Sequence, residues 1–567
     1  MDLDALVATA EAWIAGDPDP DTREALAALV AARDVDALAD HVGTGLTFGT
    51  AGLRGEVGPG PNRMNRAVVI RTSRGLADHL LATGVADRGV VVGFDARHDS
   101  ERFARDVVAT LAGAGIPVWW YPMPQPTPMV AYAQKVLDAA AAVVVTASHN
   151  PPADNGYKVY AEGAAQIVPP TDAAIAAAIA AVGPAASVPR ADLLASDLVR
   201  TVDAEVLDRY LAEVVAARPA VSGPPVRIAY TPLHGVALPM LRRAMEAAGH
   251  HDLHVVASQA EPDGSFPTVS FPNPEEPGAM DALLALAAEV GAVLAIANDP
   301  DGDRVAAAVP DRSGAWRALS GNQVGVLLAD HLLAGTPADR PLVVSSIVST
   351  PMVASVAAAY GARAETSLTG FKWICLAARA LERDEGYRFV YGFEEALGSC
   401  VGTIVHDKDG ISAAVVLADL ALSLAAEGRT LLDRWDELCL RHGRWVSHQH
   451  SVVRPGLDGA ARIAAAMARL DGWAPTELAG QQVTSVTDFR TGAHERPPWL
   501  AAQDLVLLEL TDGRVMIRPS GTEPKCKIYV DLRTATTTEG DPDGTDAMLR
   551  GRAEAVALSL AQAVGLT

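Results

Sequence analysis

Short apolar runs alternate with longer Ala- and Leu-rich stretches along most of the chain. The runs at 90–94, 142–146, 227–231, 292–297, 342–347 and 388–391 have the length and β-rich content of buried strands. Helical periodicity predicts helices over 67–81, 100–114, 239–248, 279–290, 322–333 and 411–426. Strands that alternate with helices predict α/β architecture with mainly parallel sheets.

The strands fall into three similar sets. Each set opens with a strand that runs into a polar turn: GFDARHDS (93–100), YTPLHG (230–235) and SSIVST (345–350). Each later has a strand that runs into a denser polar loop: VVVTASHNPP (143–152), AIANDPDGDR (295–304) and FVYGFEEALG (389–398). Three related α/β domains follow. Ligands of open α/β sheets bind beyond the carboxyl ends of strands, so the three dense loops are expected at one cleft. Boundaries are expected near 205, 319 and 440, which divides the chain into 1–204, 205–318, 319–440 and 441–567. The Pro/Gly-rich stretch 217–225 reads as a loop just inside the second domain. After 440 the pattern changes: a strand at 505–510, a turn at Asp512-Gly513 and a strand at 515–517 predict a smaller α+β domain. The stretch 534–545 (TATTTEGDPDGT) reads as a polar loop.

Composition narrows the class. A chain of 567 residues is too long for one core; at roughly 100–200 residues per domain, three to five domains are expected. Hydrophobic content of 49% with 20% charged residues fits a folded soluble protein and excludes disorder. The 46 basic and 69 acidic residues give a net charge of −23, which disfavours nonspecific binding to nucleic acid or anionic membrane. An anionic substrate would therefore need a local basic pocket. The four cysteines, Cys375, Cys400, Cys439 and Cys526, form no CxxC pair, and a reducing cytoplasm fits them. The acidic N-terminal stretch does not read as a signal peptide. The Ala-rich run 173–182 ends at Gly183-Pro184 and is too short to span a bilayer; its Ile175 and Ile179 are spaced as on one buried helix face.

Four loops carry chemistry. In the first, Ser148 follows a buried-type strand and is flanked by His149 and Asn150, with Pro151 and Pro152 to stiffen the loop. This suits a nucleophilic or phosphorylated serine, although an isolated Ser-His-Asn string is usually a polar turn. Lys158 is placed to reach back to the serine oxygen or its phosphate. In the second, Asp299, Asp301 and Asp303 alternate over five residues before Arg304. Such density repels itself without a cation, and hard oxygen ligands suit Mg²⁺ or Ca²⁺. An EF-hand loop would end on Glu at its twelfth position, here Pro310, so Mg²⁺ beside a phosphate fits better. In the third, Glu394 and Glu395 can accept hydrogen bonds from sugar hydroxyls; the bland alternative is an acidic helix N-terminus. Upstream of it, Thr369-Gly370-Phe371-Lys372 adds a loop with a cation. In the fourth, Arg518, Ser520, Gly521 and Thr522 supply a guanidinium, two hydroxyls and freed backbone N–H groups, the parts of a phosphate cradle. It lacks Walker A spacing. Gly52-Leu53-Arg54-Gly55 adds another arginine among glycines.

With these residues the chain resembles the α-D-phosphohexomutase superfamily, which includes phosphoglucomutase and phosphomannomutase. TASHNPP (146–152), DPDGDR (299–304), GFEEALG (392–398) and RPSGTEPK (518–525) match in order. So do the linking strings FGTAGLRG (48–55), GFDAR (93–97), PDGSFPTV (262–269), TGFKWI (369–374) and DKDG (407–410). The resemblance implies four domains around a central cleft, three of them related mixed α/β domains and the fourth a smaller α+β domain. It implies an intramolecular phosphotransferase that interconverts hexose 1-phosphate and hexose 6-phosphate through a phosphoserine at Ser148. It further implies Mg²⁺ on Asp299, Asp301, Asp303 and a phosphoserine oxygen, with a sugar 1,6-bisphosphate as intermediate and activator. Arg54 and Lys158 would flank the serine phosphate, with Lys158 a candidate acid/base and His149 supporting the loop. Arg304, Thr369, Gly370, Lys372, Glu394 and Glu395 would bind substrate. Arg518, Ser520, Gly521 and Thr522 would hold the phosphate that is not transferred. Many glucose- and mannose-specific members carry Ser where this chain has Ala396, so a phosphopentomutase or a sugar-bisphosphate synthase stays open. A phosphatase would need neither the Glu pair nor the second cradle, and a sugar-phosphate-binding regulator would need neither Ser148 nor the Asp triplet. No sequence feature names a protein partner or an oligomeric state.

Overall fold

The computed structural model describes residues 2–49, 52–335, 339–454, 459–519, 525–534 and 542–566. The chain divides into two compact units. The first comprises Met1–Arg218, Pro224–Ala318 and Gly398–Leu422; the second comprises Pro219–Gly223, Leu319–Leu397 and Ser423–Thr567.

The first unit opens with three helices that the sequence reading did not predict: Leu3–Gly16, Pro20–Ala32 and Val35–Val42. Pro20 sits where its missing N–H costs nothing, and the Asp34 carboxylate accepts from Ala37 N to cap the third helix. The trio buries a small core of Leu6, Ala10, Leu26, Leu38 and Val42.

The first sheet follows in the order Leu53–Glu56, Asp154–Ala161, Ala141–Val145, Val90–Phe94, Val118–Trp120, Val199–Thr201. The strands from Ala141–Val145 to Val199–Thr201 are parallel, while Asp154–Ala161 runs antiparallel to both of its long neighbours. Val90–Phe94 and Ala141–Val145 are buried at every position, as strands covered on both faces must be. The second sheet has the order Trp316–Ala318, Val305–Pro310, Leu294–Asn298, Ile228–Thr231, Leu253–Val255. Its first two pairings are antiparallel and its last two parallel. Both sheets are therefore mixed, not mainly parallel as predicted. The departures fall at the chemistry-bearing loops: residues 146–153 and 299–304 each close an antiparallel hairpin on a parallel strand. A two-strand return needs no crossover helix, so a short polar loop can stand at the strand's carboxyl end.

In the second unit, Arg363–Ser367, Pro341–Ser346 and Arg388–Glu394 pair in parallel. Helix Gly321–Gly335 lies so close to the last of these that a Cβ on Gly325 would stand 2.1 Å from the Phe393 ring. The remaining sheet of this unit is antiparallel, in the order Arg444–Val453, Lys525–Thr534, Gly513–Pro519, Val506–Leu510, Gln481–Asp488, Glu477–Leu478. It packs against helices Gly459–Ala468 and Pro542–Ala563 over a core that includes Leu508, Ile517, Ile528, Val530, Leu549 and Leu560. Part of the predicted loop 534–545 is regular structure. The strand keeps Thr534 and the last helix begins at Pro542, leaving only 535–541 outside the described residues.

All eight predicted strands and all six predicted helices form, with ends shifted by a few residues. The Ala-rich run forms helix Thr171–Ala181, with Ile175 buried. Among the described residues no single helix is long and apolar enough to cross a membrane.

Candidate active site

The serine loop leaves strand Ala141–Val145 through Thr146. Thr146 Oγ1 donates to Asp95 Oδ2 at 2.5 Å and accepts from Ser148 N at 2.8 Å. Ser148 is 2% exposed and has a φ of 53°, in the left-handed region. Four backbone carbonyls of the loop converge on Arg97. Its Nη2 donates to Ser148 O at 2.6 Å and Asn150 O at 2.5 Å, and its Nη1 to Pro151 O at 2.7 Å and Asp154 O at 3.0 Å. The Phe266 ring lies 5.1 Å from the guanidinium carbon. The Ser148 hydroxyl donates to Asp299 Oδ2 at 2.7 Å and lies 3.2 Å from His149 Nδ1.

Asp299, Asp301 and Asp303 are fully buried, and one carboxylate oxygen from each lies within 4.8 Å of the others. Gly302, at φ 71°, makes the turn that points them together. Lys158 Nζ donates to Asp301 Oδ2 at 2.6 Å and Asp303 Oδ2 at 3.0 Å, and Thr127 Oγ1 to Asp301 Oδ2 at 2.6 Å. Lys408 Nζ stands 3.2 Å from Asp303 Oδ2. Burial, then the charges of Asp301 and Asp303, hold Asp299 well above the usual carboxylate range. Burial pushes Asp301 the same way, but Lys158 and the neighbouring donors overcome it and keep that group ionised. Burial, then Arg304 and Arg54, depress His149 well below its ordinary value, so the ring is neutral.

The triplet fits a hard divalent cation. Asp301 Oδ1 and Asp303 Oδ1 are buried acceptors without a hydrogen-bond partner among the described residues, and all three ligand groups are carboxylates. Arg54 reaches the same loop, donating from Nη1 to Asn150 Oδ1 at 3.4 Å. It is presented by Gly52, at φ 77°, where a Cβ would stand 1.9 Å from Tyr157 O.

Of the sequence candidates, Ser148, His149, Lys158, Arg54, Asp299, Asp301, Asp303 and Arg304 meet in this first unit; Arg304 joins through its N–H, which donates to Asp299 Oδ1 at 3.0 Å. Lys158, expected at the serine oxygen or its phosphate, bonds the Asp301 and Asp303 carboxylates, the shared negative charge beside the serine. Three residues escaped the sequence reading: Arg97, Thr127 and Lys408. The strings GFDAR and DKDG contained two of them without a stated role.

In the second unit Glu394 ends strand Arg388–Glu394 and Glu395 stands in the turn after it, so the pair is not a helix N-terminus. Glu395 Oε2 accepts from Ser346 Oγ at 3.0 Å and Ser349 Oγ at 3.4 Å, which brings the SSIVST turn to the Glu loop. Arg514 donates to the Ser349 carbonyl and, at 2.9 Å, to Asp531. Arg518 lies on strand Gly513–Pro519, and its charge acts on the Tyr529 hydroxyl. Burial, then the Glu395 charge, raises the Tyr529 hydroxyl pKa, so the group is a neutral donor. The Thr369 hydroxyl is buried with no partner among the described residues. Gly370, at φ 112°, begins helix Phe371–Glu385, and Lys372 Nζ lies 5.6 Å from the Trp373 ring. Ser520, Gly521 and Thr522 lie outside the described residues.

Family models match four successive segments. They are the phosphoglucomutase/phosphomannomutase α/β/α domain I at 45–185, domain II at 208–314, domain III at 320–439 and the C-terminal domain at 487–539. A probable phosphomannomutase of Haemophilus influenzae is 40% identical over 487 residues, covering 84% of this chain and 95% of that protein. A probable phosphoribomutase of Schizosaccharomyces pombe is 34% identical over 561 residues, covering 94% and 95%. The fold is similar to that of a putative phosphomannomutase from Thermus thermophilus, with a TM-score of 0.69 at 23% identity over 92% of this chain and 99% of that one.

Proposed function

The chain belongs to the phosphoglucomutase/phosphomannomutase family, and on that premise we propose that it is a phosphosugar mutase that interconverts hexose 1-phosphate and hexose 6-phosphate through a phosphoserine at Ser148. The observation that carries this reading is the Ser148 hydroxyl, buried in a strained loop and hydrogen-bonded at 2.7 Å to Asp299 of the acid triplet.

Asp299, Asp301 and Asp303 would hold Mg²⁺, which supplies charge neutralisation for a phosphoryl group on Ser148. The rest is positioning by the chain itself. Arg97 fixes the serine loop. Arg54 and Lys158 place positive charge beside the serine, and Lys158 is the candidate proton carrier for the sugar hydroxyl. The sugar hydroxyl takes the phosphoryl group from Ser148 Oγ, giving a sugar bisphosphate. The bisphosphate turns over and returns its other phosphoryl group to Oγ, so added sugar 1,6-bisphosphate activates a dephosphorylated enzyme. Glu394 and Glu395 accept hydrogen bonds from sugar hydroxyls, with Arg304, Thr369, Gly370 and Lys372 completing the sugar contacts. Arg518, Ser520, Gly521 and Thr522 anchor the phosphate that is not moving. Burial of Ser148 limits water as a competing acceptor. The four free thiols are all buried, which fits a reducing cytoplasm.

A second reading, a pentose 1-phosphate/5-phosphate mutase, is favoured by Ala396. The residue supplies no hydroxyl beside the Glu pair, and the 34% identical yeast relative is named a probable phosphoribomutase. The test is conversion of glucose, mannose and ribose 1-phosphates in parallel, with Mg²⁺ and trace glucose 1,6-bisphosphate, against Ser148→Ala. Isomerisation that vanishes in the variant supports the mutase, and the rate ratio names the sugar. Release of free phosphate, or no turnover that depends on Ser148, would overturn it.

A further inference from the structure

We infer that residues 259–268 form a positioning strap that holds the serine loop and the acid loop in register, gripping one through Phe266 and the other through His234. The strap contains most of the string PDGSFPTV (262–269), to which the sequence reading gave no role. The inference rests on the mutase reading in one respect. Phosphorylated Ser148 has no hydroxyl proton left to donate to Asp299, so the two loops then need a support that does not run through that bond.

The acid-loop end is the turn after strand Ile228–Thr231. Leu233 and His234 stand at φ 50° and 59°, a costly conformation for residues with a Cβ. Leu233 N donates to Thr231 Oγ1 at 3.0 Å and His234 N to Gln259 O at 3.1 Å, which holds the turn in place. Gly235 follows, where a Cβ would stand 2.4 Å from Pro300 O. Val236 N donates to that same oxygen at 2.9 Å. Pro300 separates Asp299 from Asp301, so the turn fixes the backbone between two of the three carboxylates.

His234 carries the contact onward. It is 2% exposed; its carbonyl accepts from Asp263 N at 2.9 Å, and its Nε2 shares a hydrogen bond with Thr268 Oγ1 at 2.8 Å. Gln259 Nε2 donates to the same Thr268 oxygen at 2.8 Å, while Gln259 Oε1 accepts from Thr231 Oγ1 at 2.6 Å. Both ends of the strap are thus tied to the turn. In its middle, Gly264 lies so close to the GFDAR string that a Cβ would stand 2.6 Å from Ala96 O. Two residues on, the buried Phe266 ring packs on the Arg97 guanidinium, which binds the Ser148 and Asn150 carbonyls. Thr127 and Lys158 also tie the acid loop to the first sheet, but they do so at the carboxylates a cation would share. The strap grips the backbone and leaves those oxygens free.

The test is hydrogen exchange, read by mass spectrometry, on the full-length parent, Phe266→Leu and His234→Asn. Asparagine tolerates the left-handed backbone, so the second variant removes the ring without adding strain. Either change should speed exchange about fivefold in all three of 146–152, 232–236 and 299–304, the scale of one lost hydrogen bond. Exchange in helix Pro542–Ala563 should be unchanged, which separates the effect from global unfolding. In sugar-phosphate turnover, Phe266→Leu should lower kcat about tenfold and leave KM within a few fold. Unchanged exchange, or loosening confined to the loop nearest each variant, overturns the strap. So does loosening of both loops that spares 232–236, since it would have passed directly between Ser148 and Asp299. An undiminished kcat in Phe266→Leu likewise overturns it. If Phe266→Leu misfolds, His234→Asn decides. A parent with no turnover that depends on Ser148 would overturn the mutase reading, and the exchange pattern would still decide the strap.

Discussion

Arg97 Nη2 donates to the Ser148 carbonyl at 2.6 Å while Ser148 is held at φ 53°. A left-handed non-glycine residue costs about 1–2 kcal/mol, so something must hold it there. Arg97 does so by binding four carbonyls of the same loop from a 3% exposed position. Lysine keeps the charge but cannot span four acceptors. Arg97→Lys should therefore lower kcat about a hundredfold, the scale of a misplacement near 1 Å. KM for the sugar phosphate should stay within a few fold, because Arg97 does not touch the sugar in the proposed scheme. Added guanidinium should restore part of the activity of Arg97→Ala. A variant that loses KM and kcat together, with no rescue, would show a purely structural role.

Three fully buried carboxylates with two oxygens unpartnered among the described residues predict a protein that a divalent cation stabilises. Chelation should abolish turnover, and Mg²⁺ should restore it. Without substrate, Mg²⁺ at a hundred times its dissociation constant should add about 2.7 kcal/mol of stability. A thermal melt would read that as a rise of several degrees. Asp303→Asn should blunt the rise. A melting temperature indifferent to Mg²⁺ in the parent protein would mean that Lys158 and Lys408 alone neutralise the triplet.

What the sequence made legible follows from the range of each interaction. Val90–Phe94 and Ala141–Val145 were readable because full burial on both faces leaves an unbroken apolar run. The hairpin returns at Asp154–Ala161 and Val305–Pro310 were not, since strand direction depends on a partner elsewhere in the chain. Ser148 and the Asp triplet stood out because dense polar groups after a strand need a reason. Lys158 was found, but not its bonds to Asp301 and Asp303, because spacing to the serine says nothing about carboxylates far along the chain. Lys408 lies beyond the reach of any local pattern: its contact with Asp303 bridges over a hundred positions. The N-terminal helices escaped because their shared core rests on a few scattered residues, such as Leu6, Leu26 and Leu38, not on a strong stripe.

The four cysteines should be inert in the native protein. Each is buried, and burial pushes the Cys439 and Cys526 thiols up to about 12. The reactive thiolate is thus scarce below that pH. Ellman's reagent at pH 8 should titrate no thiol in the native state and all four in denaturant. Rapid native labelling of Cys439 or Cys526 would show that its element opens far more readily than its burial implies.

Ala396 stands half-buried in the turn between Glu395, whose carboxylate is held by Ser346 and Ser349, and Leu397 at φ 66°. The Glu pair can only accept hydrogen bonds when ionised, so a hydroxyl here would add the loop's missing side-chain donor. Ala396→Ser adds one oxygen and should leave the fold intact. A well-made hydrogen bond to a substrate hydroxyl contributes about 0.5–1.5 kcal/mol, which approaches tenfold at its upper end. If a hexose offers a hydroxyl there that a pentose lacks, kcat/KM for glucose 1-phosphate over ribose 1-phosphate should rise by up to about tenfold. The gain should come mostly from the hexose, with ribose 1-phosphate turnover nearly unchanged. A ratio that stays flat or falls would mean that position 396 does not read the sugar, and preference would then have to be sought at Thr369, whose buried hydroxyl has no partner among the described residues.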